Sequence, residues 1–319
     1  MRFLSLFSIP LLLCAADSGM RLEGPRLGFL AEEGGVIKPL LGLPGAAWLG
    51  PGQTAGDVRE LAFAPGGWAV GLEGSAMRPV LIRNLTGPVV AEPLGDLPAG
   101  ATQLALSPAG SAAVFLFRES GKLAVVTGLP GPALDAWEYE LGGIGAQWLR
   151  LAVSDGGDAV LGTIREAGQH WAVAVRRYSG FRKIYAAGGD AAIAFLPRQA
   201  AALIADPGRN EILLLRSLEG SPLPLASETE GVLRPVDIAA SLDGRKAVVI
   251  SKDASAILIL GIEDGSVTAV PYEQSAKELR RLNGNARFRL TGDTAQPLWV
   301  LDGDSAPPRL VFVPAGGEQ

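Results

Sequence analysis

The strongest constraint on the fold of this chain is a repeated plan: a short apolar run, a turn containing Pro, Asp or Gly, and a second apolar run. The clearest copies read LAFAPGGWAVGL, LALSPAGSAAVFL and LAVSDGGDAVLGT. The six copies begin at Leu61, Leu104, Leu151, Ile193, Ile238 and Phe288. Their successive spacings are 43, 47, 42, 45 and 50 residues. Two β-rich runs about a Gly-containing turn predict a β-hairpin in each copy.

A second pair of apolar runs follows the hairpins, which gives four strands in each repeat. Runs at 123–126 and 136–139 follow the second hairpin, and runs at 256–260 and 266–270 follow the fifth. Four strands in about 40–45 residues are typical of one blade of a β-propeller. Gly 42 and Pro 23 make up about a fifth of the 319 residues, which favours many turns. The chain is therefore predicted to be all-β, with four-stranded antiparallel blades.

The number of runs favours six blades, with seven as the alternative. Five complete blades cover 61–270, the C-terminal unit adds three runs, and the N-terminal segment adds two, which gives twenty-five strands. We expect an N-terminal strand to complete the last blade, because a closed ring leaves no open sheet edge. Residues 275–282 are expected to form a short helical turn, since Ser275 and Glu278 have capping-box spacing.

Two of the hairpin turns carry a short motif. SPAG begins at Ser107 and SLDG begins at Ser241, and an apolar strand follows each turn. These turns resemble the YVTN-type β-propeller repeat, which is usually written around S-P-D-G, and the resemblance covers roughly 61–313. It implies a propeller of the superfamily that contains lactonase-like and WD40-like proteins. Binding proteins and enzymes are both consistent with that resemblance.

The first residues predict export. Arg2 gives a positive start, and residues 3–13 form an apolar stretch of eleven residues, too short to span a bilayer. Small residues at 14–16 suit cleavage after Ala16. Residues 1–16 are therefore expected to be a signal peptide, which would place the mature protein in the periplasm or outside the cell.

The mature chain, 17–319, is expected to form a single β-propeller domain. The alternative to cleavage after Ala16 is a lipobox, Leu11-Leu12-Leu13-Cys14, that anchors the chain to lipid through Cys14. No later run is apolar for about 20 residues, so we expect no transmembrane segment in the mature chain.

Charge and the supply of ligating side chains argue against several functions. The net charge of −5 leaves no basic field for polyphosphate, so we expect no nucleic-acid partner. One Cys and one His exclude a disulfide framework and Cys/His zinc sites. Asp155 with Asp158, and Asp302 with Asp304, lack the alternating spacing of a calcium loop. We therefore expect no metal and no cofactor.

Alignment of the repeats predicts two circles of polar residues on one face of the ring. The residue before an innermost strand and the loop after a second strand share that face in a propeller. The residues before the first strands are Glu60, Gln103, Arg150, Ala192, Asp237 and Arg287. The first charged residues after the second strands are Glu73, Arg118, Arg165, Asp206, Lys252 and Asp302. These two circles predict a binding site at the channel mouth. The alternative is that these residues are solvated loop ends whose charges pair with each other.

The leading hypothesis is an exported, non-catalytic β-propeller that acts as a binding or scaffold module for a protein, peptide or carbohydrate partner. It would act as a monomer or within an envelope assembly. The alternative is a lactonase-like hydrolase that uses carboxylates and arginines of the charged face. Convergence of Glu60, Arg150 and Asp237 within about 4 Å around an accessible pocket would favour an enzyme. Pairing of these side chains with each other would favour a binding surface.

We predict that the mature chain begins near Asp17, since the positive start, the apolar stretch and the small residues all precede it. Mass spectrometry of the exported protein should therefore detect no peptide that contains Met1 or Phe3. Detection of such peptides in the mature protein would contradict the prediction. A diacylglyceryl group on Cys14 would instead support the lipid-anchored alternative.

Overall fold

Seven antiparallel β-sheets, one for each blade, surround a central channel. The computed structural model describes residues 24–131, 135–142, 145–274, 276–292 and 298–314. Each sheet takes its four strands from one continuous stretch of the chain. First strands of successive blades lie beside one another, and the inner strands of all seven blades line the channel. In this part of the chain, no helix is long and apolar enough to cross a membrane.

The strands are numbered in chain order, which in blades 2–7 is also the order from the channel outwards. Blade 1 contains β1 (Arg26–Glu32), β2 (Val36–Leu43), β3 (Ala46–Leu49) and β4 (Gln53–Thr54). Blade 2 contains β5 (Val58–Ala64), β6 (Trp68–Glu73), β7 (Arg78–Arg83) and β8 (Val90–Pro93). Blade 3 contains β9 (Gln103–Leu106), β10 (Ala112–Phe117), β11 (Lys122–Thr127) and β12 (Asp135–Glu140). Blade 4 contains β13 (Gln147–Val153), β14 (Ala159–Glu166), β15 (Gln169–Arg176) and β16 (Gly180–Ala187).

The remaining blades follow the same plan. Blade 5 contains β17 (Ala192–Phe195), β18 (Ala202–Asp206), β19 (Glu211–Leu215) and β20 (Leu223–Ala226). Blade 6 contains β21 (Pro235–Ala240), β22 (Lys246–Ser251), β23 (Ala256–Gly261) and β24 (Val267–Pro271). Blade 7 contains β25 (Ala276–Arg281), β26 (Arg287–Gly292), β27 (Leu298–Asp302) and β28 (Arg309–Val313). Short 3₁₀ helices occupy Glu33–Gly35 and Glu228–Glu230.

The prediction of six blades is wrong, because the two ends of the chain contain more strands than the sequence pattern indicated. The N-terminal segment does not complete the last blade. It forms blade 1 by itself, and β3 and β4 pair with different parts of β2. The last blade takes all four of its strands from the C-terminal segment.

The helical turn expected at 275–282 is instead the inner strand of blade 7, β25. Buried apolar residues recur at Ala276, Leu279 and Leu282, a spacing of three that is also typical of a helix. Pairing with β26 overrides that local preference. Phe288, which the repeat pattern placed on a first strand, therefore lies on the second strand of its blade.

The turns SPAG, SDGG and SLDG, which begin at Ser107, Ser154 and Ser241, have a common hydrogen-bonding pattern. Ser107, Ser154 and Ser241 are buried, and the backbone N–H of each donates to the carbonyl five residues later, at 2.8–2.9 Å. Each serine Oγ accepts a hydrogen bond from the backbone N–H of that same later residue, at 2.9–3.2 Å. The serine thus satisfies the two ends of a buried hairpin, which explains why the motif recurs.

Polar side chains in these turns connect neighbouring blades. Asp155 of blade 4 accepts hydrogen bonds from the backbone N–H groups of Ala109 in blade 3 and Arg198 in blade 5, both at 2.7 Å. Asn285 of blade 7 accepts from the backbone N–H of Asp243 at 2.8 Å and donates to its carboxylate at 3.0 Å. These bonds give Asp155 a structural role at the end of the ring where the first turns lie.

The ring closes between blade 7 and blade 1. The apolar side chains at this junction are Leu27, Leu30, Leu40, Leu282, Leu298, Val300 and Val313. Asn283 donates its backbone N–H to the carbonyl of Leu27 at 2.6 Å and its side-chain amide to that of Arg26 at 3.1 Å. Gly28 permits this approach, because a Cβ at that position would lie 2.8 Å from Leu282 Cδ2.

We predict that Asp155→Ala destabilises the ring by about 2 kcal/mol or more, because it removes two hydrogen bonds from a carboxylate to backbone N–H groups of two neighbouring blades. Asp264→Ala is the matched control, since Asp264 is exposed and accepts bonds only from Ser266 in its own turn. The Asp264→Ala substitution should lower the free energy of unfolding by less than about 1 kcal/mol. Urea unfolding measures both values, and equal losses in the two variants would contradict the bridging role of Asp155.

Candidate functional site

The central channel encloses about 620 Å³, and most of the residues that line it are apolar. Small side chains keep it open, since five blades carry alanine at the same position of the inner strand. These are Ala62, Ala105, Ala152, Ala194 and Ala239. The aromatic residues of the wall are Phe29, Phe63, Phe195 and Phe288. This volume lies within the range of about 300–1,000 Å³ that is typical of small-ligand sites.

In blades 2–7, one residue of the inner strand lies at the end of the channel that we call the mouth. The six mouth positions are Glu60, Gln103, Arg150, Ala192, Asp237 and Glu278. A local shift of strand register precedes this position in β5, β13, β21 and β25. In blade 1, Gly28 lies against Leu282 at the opposite end of the ring. A cavity of about 310 Å³ lies at the mouth and is lined by the five polar members of the ring.

Arg150 and Asp237 form an ion pair across the mouth. Arg150 Nη1 lies 3.3 Å from Asp237 Oδ1, and Arg150 Nη2 donates to the carbonyl of Val236 at 3.0 Å. The side chain extends from blade 4 to blade 6, past blade 5, whose mouth residue Ala192 is small and buried. Asp237 Oδ2 accepts a second bond, from the backbone N–H of Leu279 at 2.7 Å. Both oxygens of this carboxylate are therefore engaged.

Burial controls the protonation of Asp237. Its side chain is only 16% exposed, and burial raises its pKa to about 6. The backbone N–H of Leu279 and the charge of Arg150 act in the opposite direction, and the charge of Glu278 adds to the rise. Asp237 is thus ionised at neutral pH but takes up a proton in mildly acidic solution.

Glu60 and Gln103 do not join this ion pair. Partial burial raises the pKa of Glu60, while the positive charge of Arg280 lowers it. Gln103 donates its side-chain N–H to the carbonyl of Leu149 at 3.4 Å. Its side-chain oxygen is buried and has no hydrogen-bond partner among the described residues. Glu60, Arg150 and Asp237 therefore do not converge on one point.

The members of the predicted second circle from blades 2, 3, 4 and 6 lie on the mouth face. Glu73 ends β6, and Lys252 is exposed just after β22. Arg118 Nη2 donates to the carbonyl of Trp148 at 2.8 Å, and Arg165 Nη2 donates to the side-chain oxygen of Gln147 at 2.5 Å. Both arginines therefore hold the first residues of β13.

Asp206 also ends a second strand, β18, but it is fully buried. Its carboxylate accepts hydrogen bonds at 2.8 Å from the Tyr185 hydroxyl and from the backbone N–H groups of Gly188 and Gly208. This residue holds the β18–β19 turn against the end of β16 and presents no free oxygen to solvent.

Arg287 and Asp302 lie at the opposite end of the ring from the mouth, which corrects their predicted position. Arg287 begins β26, and Asp302 ends β27, because β25 takes the place of the first strand. Arg287 Nε lies 3.0 Å from Asp302 Oδ1 and 3.5 Å from Asp304 Oδ2. Asp302 is buried, so this pair stabilises blade 7 itself.

Sequence alignment missed the mouth residue of blade 7, Glu278, and three arginines beside it. Arg280, Arg281 and Arg289 all line the channel. Burial lowers the pKa of Arg281 and of Arg289 to about 10, so both remain charged at neutral pH. The segments AKELRR and RFRL carry these residues in the sequence, but the spacing of the first predicts a helical turn instead of an inner strand.

The described residues provide no metal centre. In residues 24–131, 135–142, 145–274, 276–292 and 298–314, no group of three or more His, Cys, Asp or Glu side chains could hold a metal ion. His170 lies on β15, the third strand of blade 4, and is not part of the channel wall. It pairs across the sheet with Arg165.

We predict that Asp237→Asn removes a pH dependence of stability. Because the pKa of Asp237 is raised from its unfolded value near 4, the folded state holds the proton more tightly. The free energy of unfolding therefore falls as the pH rises from about 4 to about 6. Each pKa unit corresponds to about 1.4 kcal/mol, so the loss is at most about 3 kcal/mol.

Urea unfolding between about pH 4 and about pH 7 measures this dependence. Gln103→Ala is the control, since it alters the mouth without changing a titratable group, and it should keep the slope of the original protein. Equal slopes in Asp237→Asn and the original protein would contradict the assignment.

Solved structures share this fold at low sequence identity. A functionally unknown protein from Desulfotomaculum acetoxidans DSM 771 is 15% identical, with a TM-score of 0.60 over 92% of this chain and 98% of that chain. A catalytically inactive histidine-to-alanine variant of virginiamycin B lyase from Staphylococcus aureus, with quinupristin, is 14% identical, with a TM-score of 0.54 over 92% and 86%. Oligogalacturonate lyase in complex with manganese is 13% identical, with a TM-score of 0.56 over 88% and 84%. No family model and no curated protein matches the chain, so similarity shows the propeller fold alone.

Proposed function

We propose that this chain is an exported, non-catalytic β-propeller of the YVTN type that binds a peptide, protein or carbohydrate partner at the channel mouth. One observation carries the proposal: polar side chains from five blades ring a cavity at one end of the channel. Export rests on the sequence of residues 1–16, which lie outside the described residues. The YVTN type rests on the turns SPAG and SLDG, which begin at Ser107 and Ser241.

The mouth is suited to binding because its side chains are held in place before a ligand arrives. Arg150 and Asp237 are fixed by each other and by backbone groups of blades 6 and 7. Glu60, Gln103 and Glu278 add further acceptors at the rim. A partner rich in hydrogen-bonding groups fits this mixture, and preorganised side chains reduce the entropy lost on binding.

The outer part of the proposed surface consists of Glu73, Arg118, Arg165 and Lys252. Arg118 and Arg165 also position the first residues of β13, so they support the mouth as well as extend it. Asp206 contributes only by holding its turn. Arg287 and Asp302 have no place in this surface, because they lie at the opposite end of the ring.

A lactonase-like hydrolase is the second candidate, and Glu60 is the residue that favours it. A carboxyl group with a raised pKa in a cavity is a candidate general acid or base. Asp237 cannot serve as its partner without breaking its bonds to Arg150 and Leu279. We favour binding because the remaining carboxylate of the mouth, Glu278, is already bonded to Arg280.

An array of defined peptides and oligosaccharides tests the binding function. We expect saturable binding of at least one class, and mass spectrometry should recover the bound ligand chemically unchanged. Glu60→Gln and Gln103→Ala should each weaken binding by about tenfold, because hydrogen bonds to a buried or charged group contribute about 1.5 kcal/mol.

Arg245→Gln is the control, since Arg245 is exposed in the β21–β22 turn at the opposite end of the ring. It should bind the same array members as the original protein. Unchanged binding in both mouth variants, or no binding to any class, would overturn the proposal. A chemically altered ligand whose formation depends on Glu60 would favour the hydrolase.

A further inference from the structure

Blade 7 differs from the other blades in the channel wall. Arg280 and Arg289 lie opposite each other on β25 and β26. At the same register, blade 2 pairs Ala62 with Val70. Blades 3 to 6 likewise pair an alanine with a valine or leucine. Like charges in directly opposite positions destabilise a sheet, so this pair of arginines does not serve the fold.

Two buried N–H donors of this wall have no acceptor among the described residues. They are Arg281 Nη1 and Arg289 Nε. Arg281 donates from Nη2 to the carbonyl of Ala240, and its guanidinium lies over the Phe288 ring, 5.0 Å from the centroid. Buried donors in proteins are nearly always paired, and an unpaired one is destabilising. The two open donors therefore indicate a place where a bound group supplies acceptors.

The carboxylates around the channel do not supply those acceptors. Glu278 is bonded to Arg280, with Oε2 at 2.9 Å from Nε and 2.7 Å from Nη2. Asp155, which acts on Arg281 from across the ring, has one oxygen on each of two backbone N–H groups in neighbouring turns. Glu60 lines the mouth cavity, where the positive charge of Arg280 acts on it. The charges of Arg281 and Arg289 are thus left without an ion-pair partner in the described residues.

We propose that the blade 7 wall of the channel binds a small ligand whose carboxylate or phosphate group accepts hydrogen bonds from Arg281 and Arg289. The apolar body of this ligand lies against Phe63 and the alanines of the channel wall. The inference deepens the proposed function, on which it rests, because the channel and the mouth cavity share wall residues such as Glu60 and Arg280. It places the carboxylate or phosphate group of the ligand inside the channel.

The chemistry of the wall selects this class of ligand. Guanidinium groups bind carboxylate and phosphate oxygens through charge-assisted hydrogen bonds, which are the stronger kind in proteins. Phe63 and the alanines of the inner strands are partly exposed in the channel and supply apolar surface for the rest of the molecule. A pocket with a few polar groups in an apolar wall is the usual form of a small-molecule site.

Isothermal titration calorimetry with three matched probes tests the proposal. Phenylacetate presents a carboxylate, phenyl phosphate presents a phosphate, and phenylacetamide has a similar shape without charge. We expect saturable binding of at least one anion with a stoichiometry of one, and at least tenfold weaker binding of phenylacetamide. The stronger of the two anions identifies the headgroup.

Arg281→Gln and Arg289→Leu should each weaken binding of the anion at least tenfold. Arg289→Leu introduces the residue type that blades 4 and 5 carry at this register, Leu161 and Leu203, so we expect this variant to fold. Arg83→Gln is the control, because it removes the same charge from an exposed pair with Glu92 on the outer strands of blade 2. The affinity of the Arg83→Gln variant for the anion should stay within twofold of that of the original protein.

Absence of binding by both anions at millimolar concentration would overturn the proposal. Equal binding of phenylacetamide, or unchanged affinity in both arginine variants, would also overturn it. If the mouth variants lose array binding while no anionic probe binds, the proposed function stands and this inference fails. If anions bind through Arg281 and Arg289 while the array shows nothing, the channel site stands and the mouth proposal fails.

Discussion

Every blade of this ring must bury both of its faces, because each sheet lies between two other sheets. Val70 and Phe115, for example, are fully buried between blades 2 and 3. A ring that closes under this constraint fixes the position of each inner strand, and with it the mouth residue of each of blades 2–7. At the opposite end, the hydrogen bonds of Asp155 and Asn285 hold neighbouring turns together. The candidate site is therefore built on the most constrained strands of the fold.

The junction of blades 7 and 1 closes the ring and also gives the channel its charge. Gly28 brings β1 against Leu282, and Asn283 bonds to the backbone of blade 1. On the same blade, Arg289 occupies a register that is a buried valine or leucine in blades 2–6. An arginine at this position packs less well than the valine or leucine of the other blades, and it costs stability where the ring closes. This loss of stability is consistent with a role for Arg289 in binding.

The fold was predictable where local pattern and strand pairing agree. The repeated hairpin plan locates the inner strands of blades 2–6, and hence Glu60, Arg150 and Asp237 at the mouth. Prediction failed at β25, whose buried residues recur every third position as in a helix, so Arg287 was placed at the mouth instead of Glu278. The ion pair between blades 4 and 6 depends on the small residue of blade 5 between them, and no local pattern encodes such a contact.

A crystal structure of the chain grown with the tighter-binding of the two anions, phenylacetate or phenyl phosphate, tests the central claim most directly. We expect seven blades, an open mouth, and electron density for the anionic group within about 2.7–3.2 Å of Arg281 and Arg289, the usual hydrogen-bonding distance. A channel without the ligand, in which these two side chains bond to other groups of the protein, would contradict the claim. So would a ligand in the channel whose anionic group is directed away from both arginines.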